Sequence, residues 1–171
     1  MKEIYLAGGC FWGMEHALGM LHGIIETETG YANGTTEKPT YQEVCSDTTG
    51  HRETVRVVYD PDKVRLSTIL KAYFICIDPT QKDRQAGDIG TQYQTGIYTT
   101  DEESAETVRD YLKEERKKYP VFYTEYGPLK SFWPAEQYHQ KYLMKNPGGY
   151  CHVSVGEFEA IRQLSETEEN V

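Results

Sequence analysis

The chain has 171 residues, 38% hydrophobic against 26% charged, which suits one soluble domain able to bury its own core. Its formal net charge of -9 argues against a nucleic-acid backbone as the main partner, and no apolar run reaches the length of a membrane span. The four cysteines, Cys10, Cys45, Cys76 and Cys151, are widely spaced without a Cys-x-x-Cys, which disfavours both a zinc ribbon and a secreted disulfide scaffold.

The first residues carry no long apolar stretch of the secretory kind, so a cytoplasmic location is expected. Ile4, Tyr5 and Leu6 read as a strand ending in the turn Gly8-Gly9. Phe11, Met14, Leu18 and Leu21 fall at helical spacing and predict a helix over 11–21. Ile24 to Tyr31 reads as a strand, and 32–50 as a loop with one short turn around Tyr41 to Cys45. Val55, Val57 and Tyr59 alternate in a strand from His51 that stops at Asp60-Pro61. Leu66, Ile69, Leu70, Tyr73, Phe74 and Ile77 mark an amphipathic helix that ends near Asp78-Pro79.

A polar loop from Thr80 to Gln92 leads to a strand predicted over Tyr93 to Tyr98. Thr100 and Glu103 fit a capping box for a helix that buries Ala105, Val108 and Leu112, with Arg116, Lys117 and Lys118 at its end. Val121 to Tyr126 is predicted as a strand, and Pro134 to Met144 as a helix opened by its proline. Asn146-Pro147-Gly148-Gly149 breaks the chain before Cys151. From about 155 the acidic tail reads either as a weak helix on Phe158, Ile161 and Leu164 or as disorder. Strands and helices mixed in this way predict an α+β sandwich, with a strand order that the sequence leaves open.

The chemistry starts at Gly8-Gly9-Cys10-Phe11-Trp12-Gly13, where strand, turn and helix place Cys10 near a helix N-terminus. Unpaired N–H groups there favour the thiolate, the nucleophilic form, although free cysteine is more often a buried packing residue. The segment lacks the glycine pattern of a dinucleotide loop, and no arginine follows as a phosphate-binding cysteine loop would want. Phe11 and Trp12 cannot both point the same way on a helix, so at least one is expected to wall the site. Glu53 shares a strand face with Val55, Val57 and Tyr59, so partial desolvation would hold it protonated as a general acid. The alternative is a strand-end glutamate reaching water or a lysine.

Gly9-Cys10-Phe11-Trp12-Gly13, Thr40-Tyr41-Gln42-Glu43-Val44-Cys45, Gly50-His51-Arg52-Glu53, Val58-Tyr59-Asp60-Pro61, Asp88-Ile89-Gly90-Thr91-Gln92-Tyr93 and Asn146-Pro147-Gly148-Gly149-Tyr150-Cys151 together resemble the signature segments of the peptide methionine sulfoxide reductase A family. The resemblance implies an α+β, two-layer sandwich with a ferredoxin-like core, additional helices and long loops. It implies a catalytic domain over 1–154 and an acidic tail over 155–171. It makes Cys10 the nucleophile, Glu53 the acid that protonates the sulfoxide oxygen, and Cys151 the recycling thiol. Phe11 and Trp12 become the pocket for the sulfoxide methyl group, and Tyr41, Tyr93 and Asp88 the polar wall around the oxygen. The implied substrate is methionine S-sulfoxide in proteins and peptides, or the free amino acid. The implied reductant is thioredoxin, or dithiothreitol in vitro, with no cofactor and no metal. After Gln92-Tyr93 the family often has Arg-Ser where this chain has Gln94-Thr95. Trp133, Glu136, Tyr138 and His139 fit a further family segment without an assigned role.

Two other readings use the same residues. A cysteine hydrolase would want His139 or His152 as its base beside Cys10. A redox sensor would need only a Cys10–Cys151 disulfide. Cys76 reads as packing, and Cys45 as either structural or a backup thiol.

Overall fold

Near-continuous runs of buried residues, covered on both faces, build the central sheet of this computed structural model, which describes residues 1–169. The strands are β1 (Lys2–Ala7), β2 (Ile24–Ala32), β3 (Arg52–Tyr59), β4 (Arg84–Gln85), β5 (Asp88–Ile89), β6 (Gly96–Thr99), β7 (Glu125–Pro128) and β8 (Phe132–Pro134). The helices are α1 (Phe11–Gly19), α2 (Tyr41–Cys45), α3 (Leu66–Cys76), α4 (Glu102–Glu115), α5 (Tyr142–Lys145) and α6 (Val155–Glu169). Six strands form one sheet in the order β7-β6-β1-β3-β2-β8, while β4 and β5 make a small hairpin. Neighbours in the large sheet are antiparallel except β6 and β7. Its middle, β6-β1-β3-β2, with α1 following β1 and α3 following β3, has the ferredoxin-like βαββαβ arrangement. The strands β7 and β8 extend it at either edge.

Ile4, Leu6, Val55, Val57 and Ile97 on one sheet face are fully buried with Met14 and Leu18 of α1 and Ile69 and Leu70 of α3. Each such side chain contributes about 1.5–3 kcal/mol on leaving water. A smaller cluster of Tyr5, Ala7, Ala32 and Tyr98 covers the other face. Among the described residues no helix is long and apolar enough to cross a membrane.

Four sequence expectations are corrected. The strand predicted over Tyr93 to Tyr98 is a 3-10 turn at Thr91–Tyr93 followed by β6. Gln94 is diverted from the ladder: its side chain accepts from Asp83 N–H at 2.6 Å and donates to the Tyr123 carbonyl at 2.8 Å. The strand predicted over Val121 to Tyr126 begins only at Glu125, because its partner ladder on β6 starts at Gly96. The capping box at Thr100 gives way to Asp101, whose carboxylate accepts from Ser104 N–H at 2.7 Å. A carboxylate suits the positive end of a helix better than a neutral hydroxyl.

The helix predicted over Pro134 to Met144 is broken into β8, a 3-10 turn at Gln137–His139 and the short α5. Groups distant in sequence take backbone N–H groups of this segment. Ala135 N–H donates to Thr29 O at 2.9 Å, and Lys141 N–H donates to buried Glu15 at 2.7 Å, with Lys141 at φ 53. Of the two readings of the tail, the described residues take the helical one. Ile161 of α6 is fully buried, and Ser165 bridges His22 N–H and Met20 O at 2.7 and 3.2 Å.

Candidate active site

Cys10 is delivered by the end of β1. Tyr73 of α3 donates its hydroxyl to Ala7 O at 2.6 Å and accepts from Gly96 N–H at 3.1 Å, pinning β1 beside β6. The turn that follows requires glycine: Gly9 lies at φ +69, and a Cβ on Gly8 would stand 2.5 Å from Ile77 Cγ2. Gly9 N–H donates to Tyr93 O at 3.2 Å, which ties the turn to the loop carrying Tyr93. Cys10 then occupies the N-cap position of α1, where the backbone N–H of Trp12 acts to favour its thiolate. The expected place is found, but the thiol is pushed up rather than down. Burial is the largest cause and the Glu53 charge the next. One N–H and a helix end do not outweigh the loss of water around a residue 8% exposed.

Glu53 sits where the strand parity placed it, on the helix-covered face of β3 and opposite Tyr31 of β2. It is 1% exposed, and its Oε1 accepts the backbone N–H of Phe11 at 3.1 Å. Burial pushes its carboxyl up to about 8, and the charge of Asp88 adds to the effect. The Phe11 N–H works in the opposite direction without cancelling it. Glu53 is therefore a neutral acid through much of the physiological range, in contact with the residue after Cys10.

Tyr41 and Tyr93 stand around this carboxyl. Tyr41 opens α2, whose N-terminus is held by a capping box between Thr40 and Glu43 at 3.2 Å in each direction. Tyr41 N–H also donates to Glu136 at 3.0 Å. Burial, followed by other contributions that include the Glu53 charge, raises both phenols, so both remain O–H donors. Asp88 lies on β5 and accepts the Tyr150 hydroxyl at 3.0 Å. Its charge raises Cys10, Glu53 and Tyr93 alike.

Phe11 and Trp12, although successive on α1, both reach the His139 ring. Phe11 is 1% exposed, with its ring 5.8 Å from Tyr31 and 5.1 Å from His139 between centroids. Trp12 is half-buried; its indole stacks on Tyr142 at 3.7 Å and donates Nε1–H to His139 Nδ1 at 2.9 Å. His139 is buried, and burial lowers its pKa, which keeps Nδ1 free to accept. The family resemblance left Glu136 and His139 without roles. In the structure Glu136 accepts from Tyr31 O–H and Tyr41 N–H, and His139 orients Trp12. With Nδ1 engaged by Trp12, His139 is poorly set to serve as a base for Cys10.

Cys151 is half-buried and donates its thiol to Val153 O at 3.4 Å. It lies against α1 at Gly13, within electrostatic range of Cys10, and both thiols are free. Cys76 is buried in the main core, as its helical spacing predicts. Cys45 is exposed at the end of α2, and burial raises its thiol.

The family model described as Peptide methionine sulfoxide reductase matches residues 2–170. The peptide methionine sulfoxide reductase MsrA of Alkaliphilus metalliredigens is 51% identical over 156 residues, covering 91% of this chain and 99% of that protein. Among solved structures, Mxr1 from Saccharomyces cerevisiae in reduced form superposes with a TM-score of 0.82 at 35% identity, covering 88% of each chain. Methionine sulfoxide reductase A of Corynebacterium diphtheriae also gives a TM-score of 0.82, at 37% identity over 88% of this chain and 77% of that one.

Proposed function

The chain belongs to the peptide methionine sulfoxide reductase family, and from that membership we propose that Cys10, Glu53 and Cys151 carry its chemistry on the S epimer of the sulfoxide. It is an oxidoreductase that reduces methionine sulfoxide at the expense of thiols. The observation that carries the residue assignment is the buried Glu53 carboxyl, held at 3.1 Å by the N–H of the residue next to Cys10.

The sulfoxide methyl group rests against Phe11 and Trp12, and the oxygen faces Glu53, Tyr41 and Tyr93, with Asp88 behind them. Protonation by Glu53 turns the oxygen into a better leaving group, and the phenolic O–H groups stabilise charge as it develops. Cys10 attacks sulfur. In net terms, thiol plus sulfoxide gives a Cys10 sulfenic acid plus methionine. Protonation of Glu53 removes the second cause of the raised Cys10 thiol, the Glu53 charge, and leaves burial, the larger one. Cys151 then condenses with the sulfenic acid to form a disulfide, which thioredoxin, or dithiothreitol in vitro, reopens by thiol exchange.

The reacting groups all fall within residues 1–154, assigned as the catalytic unit, with the acidic segment from 155 outside them. The substrates are proteins and peptides carrying oxidised methionine, and the thiol-reducing cytoplasm suits such a cycle. The test is a peptide map of the enzyme after one exposure to a sulfoxide peptide without reductant. A Cys10–Cys151 link that thioredoxin removes supports the assignment. A link through Cys45 or Cys76 instead, or sulfoxide consumption with no disulfide, contradicts it.

A further inference from the structure

Gly13 lies inside α1, at none of the positive-φ positions of the chain. Nothing in its backbone calls for glycine, and glycine within a helix costs about 1 kcal/mol relative to alanine. What it provides is space. A Cβ at Gly13 would stand 2.7 Å from Cys151 Sγ, 3.3 Å from Val153 Cγ2 and 3.5 Å from His152 Nδ1. Gly9, one turn earlier, supports the same segment, since a Cβ there would meet the His152 ring at 3.1 Å. Residues 151–153 therefore lie over the first turn of α1 in a notch left by two missing side chains. Val153, 4% exposed, anchors the segment in the main core.

The notch faces Cys10. Positions three apart on a helix share a face, with Cβ sites about 5–6 Å apart. Cys10 and Gly13 are so related, and the sulfur of Cys151 fills the Gly13 site. We propose that Gly13 is a positioning residue of the recycling step: its missing side chain seats the Cys151 thiol one helical turn from Cys10, ready for the sulfenic acid. This rests on the reading of Cys151 as the recycling thiol. In that step the Cys10 S–O bond breaks and an S–S bond forms. The sulfenic sulfur is reduced, the thiol sulfur is oxidised, and the hydroxyl leaves with the thiol proton as water. A methyl group at position 13 turns or displaces the thiol and leaves Glu53, Tyr41 and Tyr93 untouched.

The experiment compares wild type, Gly13→Ala, Gly13→Ser and Cys151→Ser in a single turnover with a methionine sulfoxide peptide and no reductant. It follows methionine release, capture of sulfenic acid by dimedone, and disulfide formation. Alanine favours the helix, and the serine variant and circular dichroism check that the fold is retained. The expected result for Gly13→Ala is methionine release within about twofold of wild type, disulfide formation slowed at least about tenfold, and a dimedone-reactive Cys10 that persists. Disulfide formation at the wild-type rate in both Gly13 variants, while Cys151→Ser blocks it, overturns the seat and leaves the role of Cys151 standing. Equal slowing of methionine release and disulfide formation also overturns it, because the role would then lie in the first step. A normal disulfide in Cys151→Ser overturns the reading of Cys151 itself.

Discussion

The backbone N–H of Phe11 donates to Oε1 of Glu53 at 3.1 Å, joining the helix that opens at Cys10 to a carboxyl buried in the sheet. The bond fixes where the acid points while burial, its stronger neighbour, fixes its protonation. The two effects together hold a neutral carboxylic acid beside a nucleophilic sulfur.

That acid sets a pH dependence. Glu53 is protonated below about 8 and ionised above it. With the Cys10 thiol raised above this value, the rate of methionine release in a single turnover is expected to climb with pH as thiolate forms and to level off above about 8, where Glu53 loses its proton. Glu53→Gln is expected to lower that rate by about 10²–10⁴-fold and to remove the levelling, so that the rate keeps climbing with pH. Stopped-flow measurements between pH 6 and 10 on both proteins check this, and a plateau retained in Glu53→Gln contradicts it.

The same burial affects stability. The folded-state carboxyl titrates near 8 against an ordinary value of 4.5, so its stabilising contribution is complete below 4.5 and is lost as pH rises through 8. The loss amounts to roughly 5 kcal/mol at most. Glu53→Gln keeps an oxygen for the Phe11 N–H without a charge to bury. Its denaturant midpoint is expected to exceed that of wild type at pH 9 and to match it at pH 5; the reverse order at pH 9 counts against a buried, ionising Glu53.

Trp12 depends on His139 for its orientation. His139→Leu leaves the indole N–H without its acceptor, at a cost of about 1–3 kcal/mol. The expected result is a KM for the sulfoxide raised about tenfold, with kcat changed much less. Steady-state kinetics with saturating dithiothreitol separate the two constants, and an unchanged KM rules out this role for His139.

The acidic end of the chain has a structural partner. Glu168, 9% exposed, accepts from the Thr68 hydroxyl in the first turn of α3 and pairs with Arg65 at 3.5 Å. Glu168→Ala leaves Thr68 without its partner and is expected to cost about 2 kcal/mol, or roughly 6 °C in Tm. Calorimetry reads the shift directly, and a Tm unchanged within 1 °C on that scale would show that the contact is not needed.

What the sequence made legible is what short-range periodicity controls. The alternation of Val55, Val57 and Tyr59 put Glu53 on the buried face, and the glycine turn put Cys10 at the start of a helix; both lie there. The broken segment from 134 to 144 was hidden because the groups that interrupt it, Thr29 and Glu15, are over a hundred positions away. The proline that read as a helix start closes a strand instead. The raised thiol of Cys10 was equally hidden, since local N–H groups are visible in a sequence and burial by distant elements is not. The His139 acceptor for Trp12 belongs to the same class, being 127 positions away along the chain.

The most direct test of the account follows each epimer of a racemic methionine sulfoxide peptide by chiral chromatography, with dithiothreitol as reductant, for wild type and Cys10→Ser. The account predicts loss of the S epimer alone with wild type and no loss with Cys10→Ser. Consumption of neither epimer by folded wild type, or undiminished turnover by Cys10→Ser, would contradict it.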